Sequence, residues 1–150
     1  MSDRFSWVIP DKLAGMERPG TAQKFEDDVK FLKEKGVSVI VNLEEYVWKY
    51  DDFELKHIPI NDFKAPKLKD IEEFVKFVHE KILEKKRVVV HCYAGMGRTN
   101  LMIACYLVFL GIHPDKALDY VRSKRQVFLV NDEQREAIRE YYYSIRPDGE

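Results

Sequence analysis

The sequence predicts an α/β fold in which helices flank both faces of a central, mostly parallel β-sheet. Residues 37–43 and 87–90 are predominantly apolar runs, too apolar for one-faced strands, which is typical of parallel strands buried on both sides. Stretches in which apolar residues recur at helical spacing alternate with these runs. Because no repeat, low-complexity segment or linker interrupts the pattern, residues 1–150 are expected to form a single domain.

The first third of the chain predicts a hairpin followed by a helix. Residues 5–10 and 12–16 are predicted as two short strands joined by a tight turn. Thr21 is the expected N-cap of the helix, and Gly36 is the expected end. The chain then enters the buried strand at residues 37–43.

The middle of the chain predicts an acidic connection, a strand, a loop and a long helix. Aromatic residues within 44–52 either line a substrate rim or cap the edge of the core, and packing is the commoner role. Residues 53–60 predict a strand, residues 61–66 a loop, and residues 67–86 an amphipathic helix. His79 lies on that helix among Lys and Glu, so we expect it in solvent.

The last third of the chain predicts three helices. Residues 101–108 predict a buried helix. Pro114 begins a short helix beside His113, which is expected as a capping or surface residue. A final helix opens at residues 131–134, and residues 147–150 are predicted to fray.

Composition excludes several classes of function. With 45% hydrophobic and 34% charged residues and a net charge of -1, the chain has no charge pattern for binding nucleic acid or an acidic membrane surface. The start lacks a signal core, and no run reaches transmembrane length. Two cysteines predict neither a disulfide framework nor a zinc site. We therefore expect a cytoplasmic monomer that holds no metal.

The loop at residues 91–99 follows a buried strand and precedes a buried helix. Backbone N–H groups in such a loop form an anion-binding nest, to which the helix adds its N-terminal donors and dipole. Five residues separate Cys92 from Arg98, and we predict that this part of the loop binds phosphate: Tyr93, Ala94, Gly95, Met96 and Gly97. We predict a bound phosphoryl group with the Cys92 thiolate as nucleophile and the Arg98 guanidinium over two oxygens.

Cysteine-based hydrolysis of a phosphate ester also needs an acid to protonate the leaving oxygen. Asp62 is the candidate, because it follows a strand expected to be parallel to residues 87–90 and next to them in the sheet. Its carboxyl group would then emerge at the same sheet edge as Cys92. The alternative is a structural role in a turn or an N-cap.

Three further residues each have two possible roles. Thr99 either donates its hydroxyl to the Cys92 sulfur or caps the following helix. Gln134 either orients the hydrolytic water or completes a capping box with Asn131. Cys105 is either a core residue of its helix or a redox partner for Cys92.

The motif at residues 91–99, His-Cys-x5-Arg-Thr, resembles the signature of the protein tyrosine phosphatase superfamily. Segments at residues 5–15, 58–63, 104–108 and 133–134 resemble the small atypical dual-specificity phosphatases, so the resemblance covers nearly the whole chain. It implies the fold of the dual-specificity subtype and a phosphocysteine mechanism without a cofactor. The implied substrates are proteins or peptides that carry phosphotyrosine, phosphoserine or phosphothreonine.

The resemblance also implies a role for each matching residue. Cys92 corresponds to the nucleophile, Arg98 to the phosphate clamp and Asp62 to the general acid. Gln134 corresponds to a residue that positions water, and His91 to the signature residue that precedes the nucleophile.

Three positions depart from the family pattern. Asn100 stands where glycine is usual, so its amide either bonds locally or alters the loop and lowers the rate. Asn61 replaces the common proline before Asp62 and leaves that loop less restrained. Gln126 follows Arg125 where Arg-Pro is frequent. These departures keep a second function open, a phosphate-binding module that has lost turnover.

The variable positions of the loop bear on the substrate. Tyr93, Ala94 and Met96 are neutral, which disfavours multiply phosphorylated inositol headgroups. The chain also lacks the segments that deepen the pocket in larger tyrosine-specific enzymes. We therefore expect a shallow pocket that admits more than one phosphorylated side chain.

Overall fold

The computed structural model describes residues 5–146, so the predicted fraying of residues 147–150 lies outside the described residues. Within residues 5–146, no helix has the length and apolar character needed to cross a membrane. The elements in chain order are β1 Ser6–Ile9, β2 Leu13–Glu17, α1 Phe25–Glu34, β3 Val37–Asn42, β4 Glu54–His57, α2 Leu68–Leu83, β5 Arg87–Cys92, α3 Arg98–Phe109, α4 Pro114–Lys124 and α5 Asp132–Ile145.

The five strands form one sheet in the order β1-β2-β5-β3-β4. β1 pairs with β2 in the antiparallel sense, and every other neighbouring pair is parallel. The valines of β5 lie at the centre of the sheet and are fully buried, as their continuous apolar run predicts. The predicted α/β class with a mostly parallel sheet is confirmed.

The position of the strand before Asp62 differs from the prediction. β3 lies between β4 and β5, so that strand is not the direct neighbour of β5. The pairing continues beyond β4, because Ile58 N–H donates to the Asn42 carbonyl at 2.9 Å and Ile60 N–H donates to the Leu43 carbonyl at 3.1 Å. β3 is buried on both faces and takes a strand partner on each edge. All three strands still end at the same edge of the sheet.

Helices cover both faces of the sheet, as predicted, but unequally. On one face, α1 contributes Leu32 to a small cluster that includes Ile40 and Val89. On the opposite face, α2, α4 and α5 pack around α3, whose residues from Arg98 to Val108 are all buried. A helix buried on every side needs an apolar sequence all round, which residues 101–108 provide.

Two local predictions are wrong. Thr21 does not cap α1, since its hydroxyl donates to the Arg18 carbonyl at 2.7 Å within a turn, and Lys24 occupies the N-cap position. Gly36 ends the helix segment with φ +77°, as predicted. His79 is half-buried rather than in solvent.

The reason for the burial of His79 is a long-range contact with α3. Its Nδ1 lies 3.0 Å from the Tyr106 hydroxyl, and its ring contacts Phe109. The spacing of Lys and Glu on α2 could not reveal this partner. His113, in contrast, accepts a hydrogen bond from the Asp115 N–H and caps α4 as predicted.

Candidate active site

A cavity of about 70 Å³ opens where β5 gives way to α3. It lies at the carboxyl edge of the sheet, beside the loop that the sequence analysis identified. Its lining residues are Asp62, Phe63, Cys92, Ala94, Met96, Gly97, Arg98, Leu129 and Gln134. The structure therefore brings Cys92, Arg98, Asp62 and Gln134 together around one cavity.

Cys92 is the last residue of β5 and is only 3% exposed. Its sulfur accepts a hydrogen bond from the Thr99 hydroxyl at 3.1 Å and another from the Gly95 N–H at 3.3 Å. Thr99 itself is fully buried in the first turn of α3. Two donors aimed at the sulfur suit a thiolate that acts as nucleophile and later as leaving group.

Both glycines of the loop permit a close approach of backbone. Gly95 has φ +73°, and a Cβ there would lie 2.6 Å from the Met16 carbonyl oxygen. A Cβ at Gly97 would lie 2.8 Å from the Leu129 carbonyl oxygen. The loop can therefore curl between β2 and the segment before α5 only because both positions lack side chains.

Two carbonyl groups of the loop are bonded by side chains that do not line the cavity, those of Arg125 and Asn100. The Gly95 carbonyl accepts a hydrogen bond from Arg125 Nη2 at 2.6 Å. The Met96 carbonyl accepts one from Asn100 Nδ2 at 2.6 Å and one from the Leu129 N–H at 2.8 Å. These bonds hold the loop against the segment at residues 125–129.

Arg125 is a buried cation that sequence reasoning missed. Burial lowers its pKa to about 10, although the charges of Cys92 and Glu17 act in the opposite direction. A Cβ at Gly15 would lie 2.5 Å from Arg125 Nη1, so this glycine makes room for the guanidinium. The sequence carries no signal for Arg125, because it lies in the mixed basic and apolar connection at residues 122–130, which contains no motif.

Arg98 is 3% exposed, and its guanidinium is anchored at one end. Nη1 donates to Glu45 Oε1 at 2.7 Å and to the Ile60 carbonyl at 2.8 Å. Nε lies 3.5 Å from Asp62 Oδ1. The anchored nitrogen fixes the plane of the guanidinium, which leaves its other edge to face an anion in the cavity.

Glu45 is the second residue that sequence reasoning missed. Partial burial raises the pKa of its carboxyl, but hydrogen bonds from its own backbone, from Arg98 and from the Asp62 N–H outweigh burial and leave the pKa below its usual value. Its position in the chain could have marked Glu45 as a site residue, because it follows β3 at the sheet edge where the site lies.

Asp62 lies in an exposed turn at the mouth of the cavity. Its Oδ1 accepts a hydrogen bond from the Phe63 N–H at 3.0 Å, so the predicted turn role is present while the carboxyl group also lines the cavity. The N-terminal end of α5 holds this loop. Asn131 Nδ2 donates to the Phe63 carbonyl, and Glu133 accepts from the Ala65 N–H, each at 2.8 Å.

Gln134 completes the capping box that its spacing predicted, and it also lies at the cavity. Its N–H and side-chain oxygen form a capping box with Asn131, at 2.9 and 3.0 Å. Its side chain also lines the cavity, and Nε2 lies 3.4 Å from the Lys64 carbonyl. The capping bonds therefore fix the side chain at the cavity wall.

His91 is fully buried and does not line the cavity. Its Nε2 lies 2.9 Å from the Tyr50 hydroxyl, and its Nδ1 lies 3.3 Å from the Cys92 carbonyl and 3.4 Å from Glu44 Oε2. It therefore contacts the backbone of Cys92 and supports the loop from behind. Tyr50 packs in the core, as favoured, and burial raises its pKa above the usual value.

The other aromatic residues of the 44–52 connection lie nearer the surface. Trp48 stacks on the Arg18 guanidinium at 4.3 Å, and the Tyr93 ring lies 5.1 Å from the same guanidinium. Tyr46 is exposed. In this connection Tyr50 therefore packs in the core, whereas Tyr46 and Trp48 lie nearer the surface.

Cys105 lies in the core of α3 and is fully buried. Burial raises the pKa of its thiol above the usual value. This environment matches the predicted core role of Cys105.

Known proteins resemble this chain in sequence and in fold. The family model described as "Tc-R-P: Polymorphic toxin system, DSP-PTPase phosphatase" matches residues 14–112. "Phosphatidylglycerophosphate phosphatase PTPMT2" of Arabidopsis thaliana is 34% identical over 130 residues, which cover 80% of this chain and 57% of that protein. "Phosphatidylglycerophosphate phosphatase PTPMT1" of the same plant is 35% identical over 153 residues, which cover 95% of this chain and 44% of that protein.

The chain thus spans about half the length of these curated relatives. The crystal structure of Tk-PTP in the active form superposes with a TM-score of 0.80 at 26% identity, covering 95% of this chain and 98% of that one. The family match runs from β2 to the end of α3 and includes the loop that contains Cys92 and Arg98, the cysteine loop at residues 91–99. The chain therefore belongs to the dual-specificity-like phosphatase family of the protein tyrosine phosphatase superfamily.

Proposed function

We propose that this protein hydrolyses phosphate monoesters through a phosphocysteine intermediate on Cys92, and that its substrates are phosphorylated proteins or peptides. One observation carries the proposal. The Cys92 sulfur lies at a cavity that Arg98 and Asp62 also line, and it receives hydrogen bonds from Thr99 and Gly95. The side chains proposed as nucleophile, phosphate clamp, general acid and hydrogen-bond donor to the departing sulfur therefore lie together.

In the first step the Cys92 thiolate attacks phosphorus, so that the S–P bond forms as the P–O bond of the ester breaks. Asp62 gives its proton to the departing oxygen. The free edge of Arg98 and the loop N–H groups bind the three remaining oxygens, where negative charge develops. Glu45 keeps the guanidinium in place through Nη1.

In the second step water attacks the phosphocysteine and inorganic phosphate leaves. The Asp62 carboxylate takes a proton from this water, which returns it to the acid form. The S–P bond breaks and the sulfur departs as thiolate, stabilised by the Thr99 hydroxyl at 3.1 Å. Gln134, fixed at the cavity wall, orients the water.

The mouth of the cavity supports phosphotyrosine among the substrates. Phe63 and Leu129, which line the cavity, are 65% and 55% exposed, and Tyr93 beside it is 54% exposed. These side chains can flank an aromatic ring whose phosphate sits in the loop. The segments at residues 5–15, 58–63, 104–108 and 133–134 also resemble those of dual-specificity phosphatase 23, and this resemblance is our reason for including phosphoserine and phosphothreonine among the proposed substrates.

A phosphatidylglycerophosphate is the second candidate substrate, because the two plant relatives carry that activity in their names. The same exposed apolar side chains at the mouth would suit a lipid surface. A panel distinguishes the candidates: peptides with phosphotyrosine or phosphoserine, and vesicles containing phosphatidylglycerophosphate. A kcat/KM at least tenfold higher for phosphopeptides supports our proposal, and the reverse order overturns the protein-substrate part of it.

A phosphate-binding module without turnover is the remaining alternative. Release of phosphate from para-nitrophenyl phosphate tests it, with Cys92→Ser as the control for contaminating activity. Sustained release by the wild-type protein alone establishes turnover.

We also propose that the protein is a monomer and that it works in the cytoplasm, where reducing conditions would keep Cys92 as a free thiol. Size-exclusion chromatography with light scattering tests the monomer.

A further inference from the structure

The Met96 carbonyl of the cysteine loop accepts more than one hydrogen bond. It accepts hydrogen bonds from Asn100 Nδ2 at 2.6 Å and from the Leu129 N–H at 2.8 Å. The same Asn100 nitrogen lies 2.9 Å from the Val127 carbonyl. Asn100 is fully buried in the first turn of α3. One buried amide therefore ties the loop to the segment at residues 127–129.

Peptide geometry makes this tie relevant to the anion. A trans peptide unit is planar, so the carbonyl of one residue and the N–H of the next point in opposite directions. Because the Met96 carbonyl is bonded by the Asn100 side chain, which does not line the cavity, the planar peptide unit turns the Gly97 N–H towards the cavity that Met96 and Gly97 line. The Gly95 carbonyl, held by Arg125, directs the Met96 N–H in the same way.

The loop needs an external tie because its own backbone is permissive. Gly95 and Gly97 flank Met96, and residues without Cβ leave peptide rotation nearly unrestrained. If the peptide between Met96 and Gly97 rotated, a carbonyl oxygen would face the phosphate in place of an N–H donor. Such a change removes one donor and adds a repulsive dipole.

We propose that Asn100 is a positioning residue, whose amide holds the Met96 carbonyl outward and thereby fixes the Gly97 N–H as a donor to bound phosphate. The role follows from side-chain chemistry. Asn100 reaches two carbonyl oxygens with an NH2 group, whereas a carboxylate would repel both and glycine would reach neither. That the anion is a phosphoryl group rests on the proposed function.

The experiment compares Asn100→Ala with Met102→Ala. Met102 is equally buried on the same helix, but its side chain has no N–H or O–H group to donate to the loop carbonyls, so its variant controls for loss of stability. We measure the dissociation constant of inorganic phosphate by calorimetry. We expect about tenfold weaker binding in Asn100→Ala, unchanged binding in Met102→Ala, and an intermediate value in Asn100→Ser, whose hydroxyl retains one donor.

A second measurement reports the Gly97 N–H directly. In two-dimensional NMR of the wild-type protein, phosphate should move the Gly97 amide proton downfield, as expected for a new hydrogen bond to an anion. That shift should shrink by more than half in Asn100→Ala and persist in Met102→Ala. A role in stability alone would not separate the two variants in this way.

The outcomes distinguish this inference from the proposed function. Wild-type affinity for phosphate in Asn100→Ala, or an unchanged Gly97 shift, overturns the positioning role. If phosphate affinity falls in the expected order from wild type through Asn100→Ser to Asn100→Ala, but the wild-type protein releases no phosphate from esters, the proposed function is overturned and the role of Asn100 is supported. A wild-type protein that does not bind phosphate overturns both.

Discussion

The cysteine loop and the Asp62 loop meet at one cavity but are built in opposite ways. Cys92 and Arg98 are each 3% exposed, and their loop is held by hydrogen bonds from Asn100 and Arg125 and by the bond from Arg98 to Glu45. The Asp62 side chain is 51% exposed, and its turn is held chiefly by the N-terminal end of α5. Anion binding needs fixed donors, whereas an acid must meet leaving groups of different shapes.

This difference makes the two loops separable by experiment. A change in the cysteine loop should affect every substrate alike, because every substrate presents the same phosphoryl group. A change in the Asp62 loop should depend on the leaving group.

The largest effect is expected from Cys92→Ser. The hydroxyl is a far weaker nucleophile than the thiolate, so turnover of every substrate should fall by about four orders of magnitude or more. Binding of inorganic phosphate should remain, because the loop donors are unchanged. Steady-state kinetics and calorimetry on the same preparation measure both quantities. Residual turnover within a factor of ten of wild type would show that the sulfur is not the nucleophile.

The next largest effect is expected from Asp62→Asn. Turnover of phosphopeptides, which have poor leaving groups, should fall by about 100-fold or more, since the proton donor is lost. Activated aryl phosphates should lose much less. Asp119→Asn, at an exposed position on α4, serves as the matched control and should retain full activity. Equal losses for both substrate classes would remove Asp62 from the acid role and weaken the contrast between the loops.

Glu45 joins the two loops, because it accepts hydrogen bonds from Arg98 Nη1 at 2.7 Å and from the Asp62 N–H at 3.3 Å. Glu45→Ala should free the guanidinium and weaken phosphate binding by about tenfold. Glu45→Gln retains a neutral acceptor and should lose less. Inhibition constants for inorganic phosphate measure the order. Tighter phosphate binding in Glu45→Ala would instead show that the carboxylate competes with the anion for Arg98.

The smallest effect concerns Glu54, on the edge strand that leads towards the Asp62 loop. A hydrogen bond from Lys81 is the main cause of its lowered pKa, and Lys86 adds to it. Because the folded-state pKa is below the unfolded one, its stabilisation is present above about pH 4.5 and is lost as pH falls through the folded value.

Glu54→Gln should therefore lower the melting temperature by less than about 3 °C at pH 7, since the pair is partly exposed. The difference from wild type should vanish near pH 3, and turnover at pH 7 should not change. Calorimetric scans at the two pH values measure this. A difference that persists at pH 3 would assign the effect to packing rather than to charge.

The parts of the fold that were predictable are those with a local cause. The buried runs of β3 and β5, the glycine at Gly36 and the capping box at Asn131 each act within a few residues, and each appears where predicted. His79 was misplaced because its partner, Tyr106, lies 27 residues away on another helix. Thr21 was misplaced for a local reason, because its hydroxyl bonds the Arg18 carbonyl in a turn that competes with helix capping.

The sequence by itself determined the class of the fold and the cysteine loop. The strand, the two glycines and the helix start that make an anion-binding loop possible are all contained in residues 87–108. Only the tertiary structure decided that β3 separates β4 from β5, that Glu45 anchors Arg98 and that Arg125 bonds the Gly95 carbonyl. These partners are 30 or more residues apart, and strand order and helix packing decide which of many charged side chains meet.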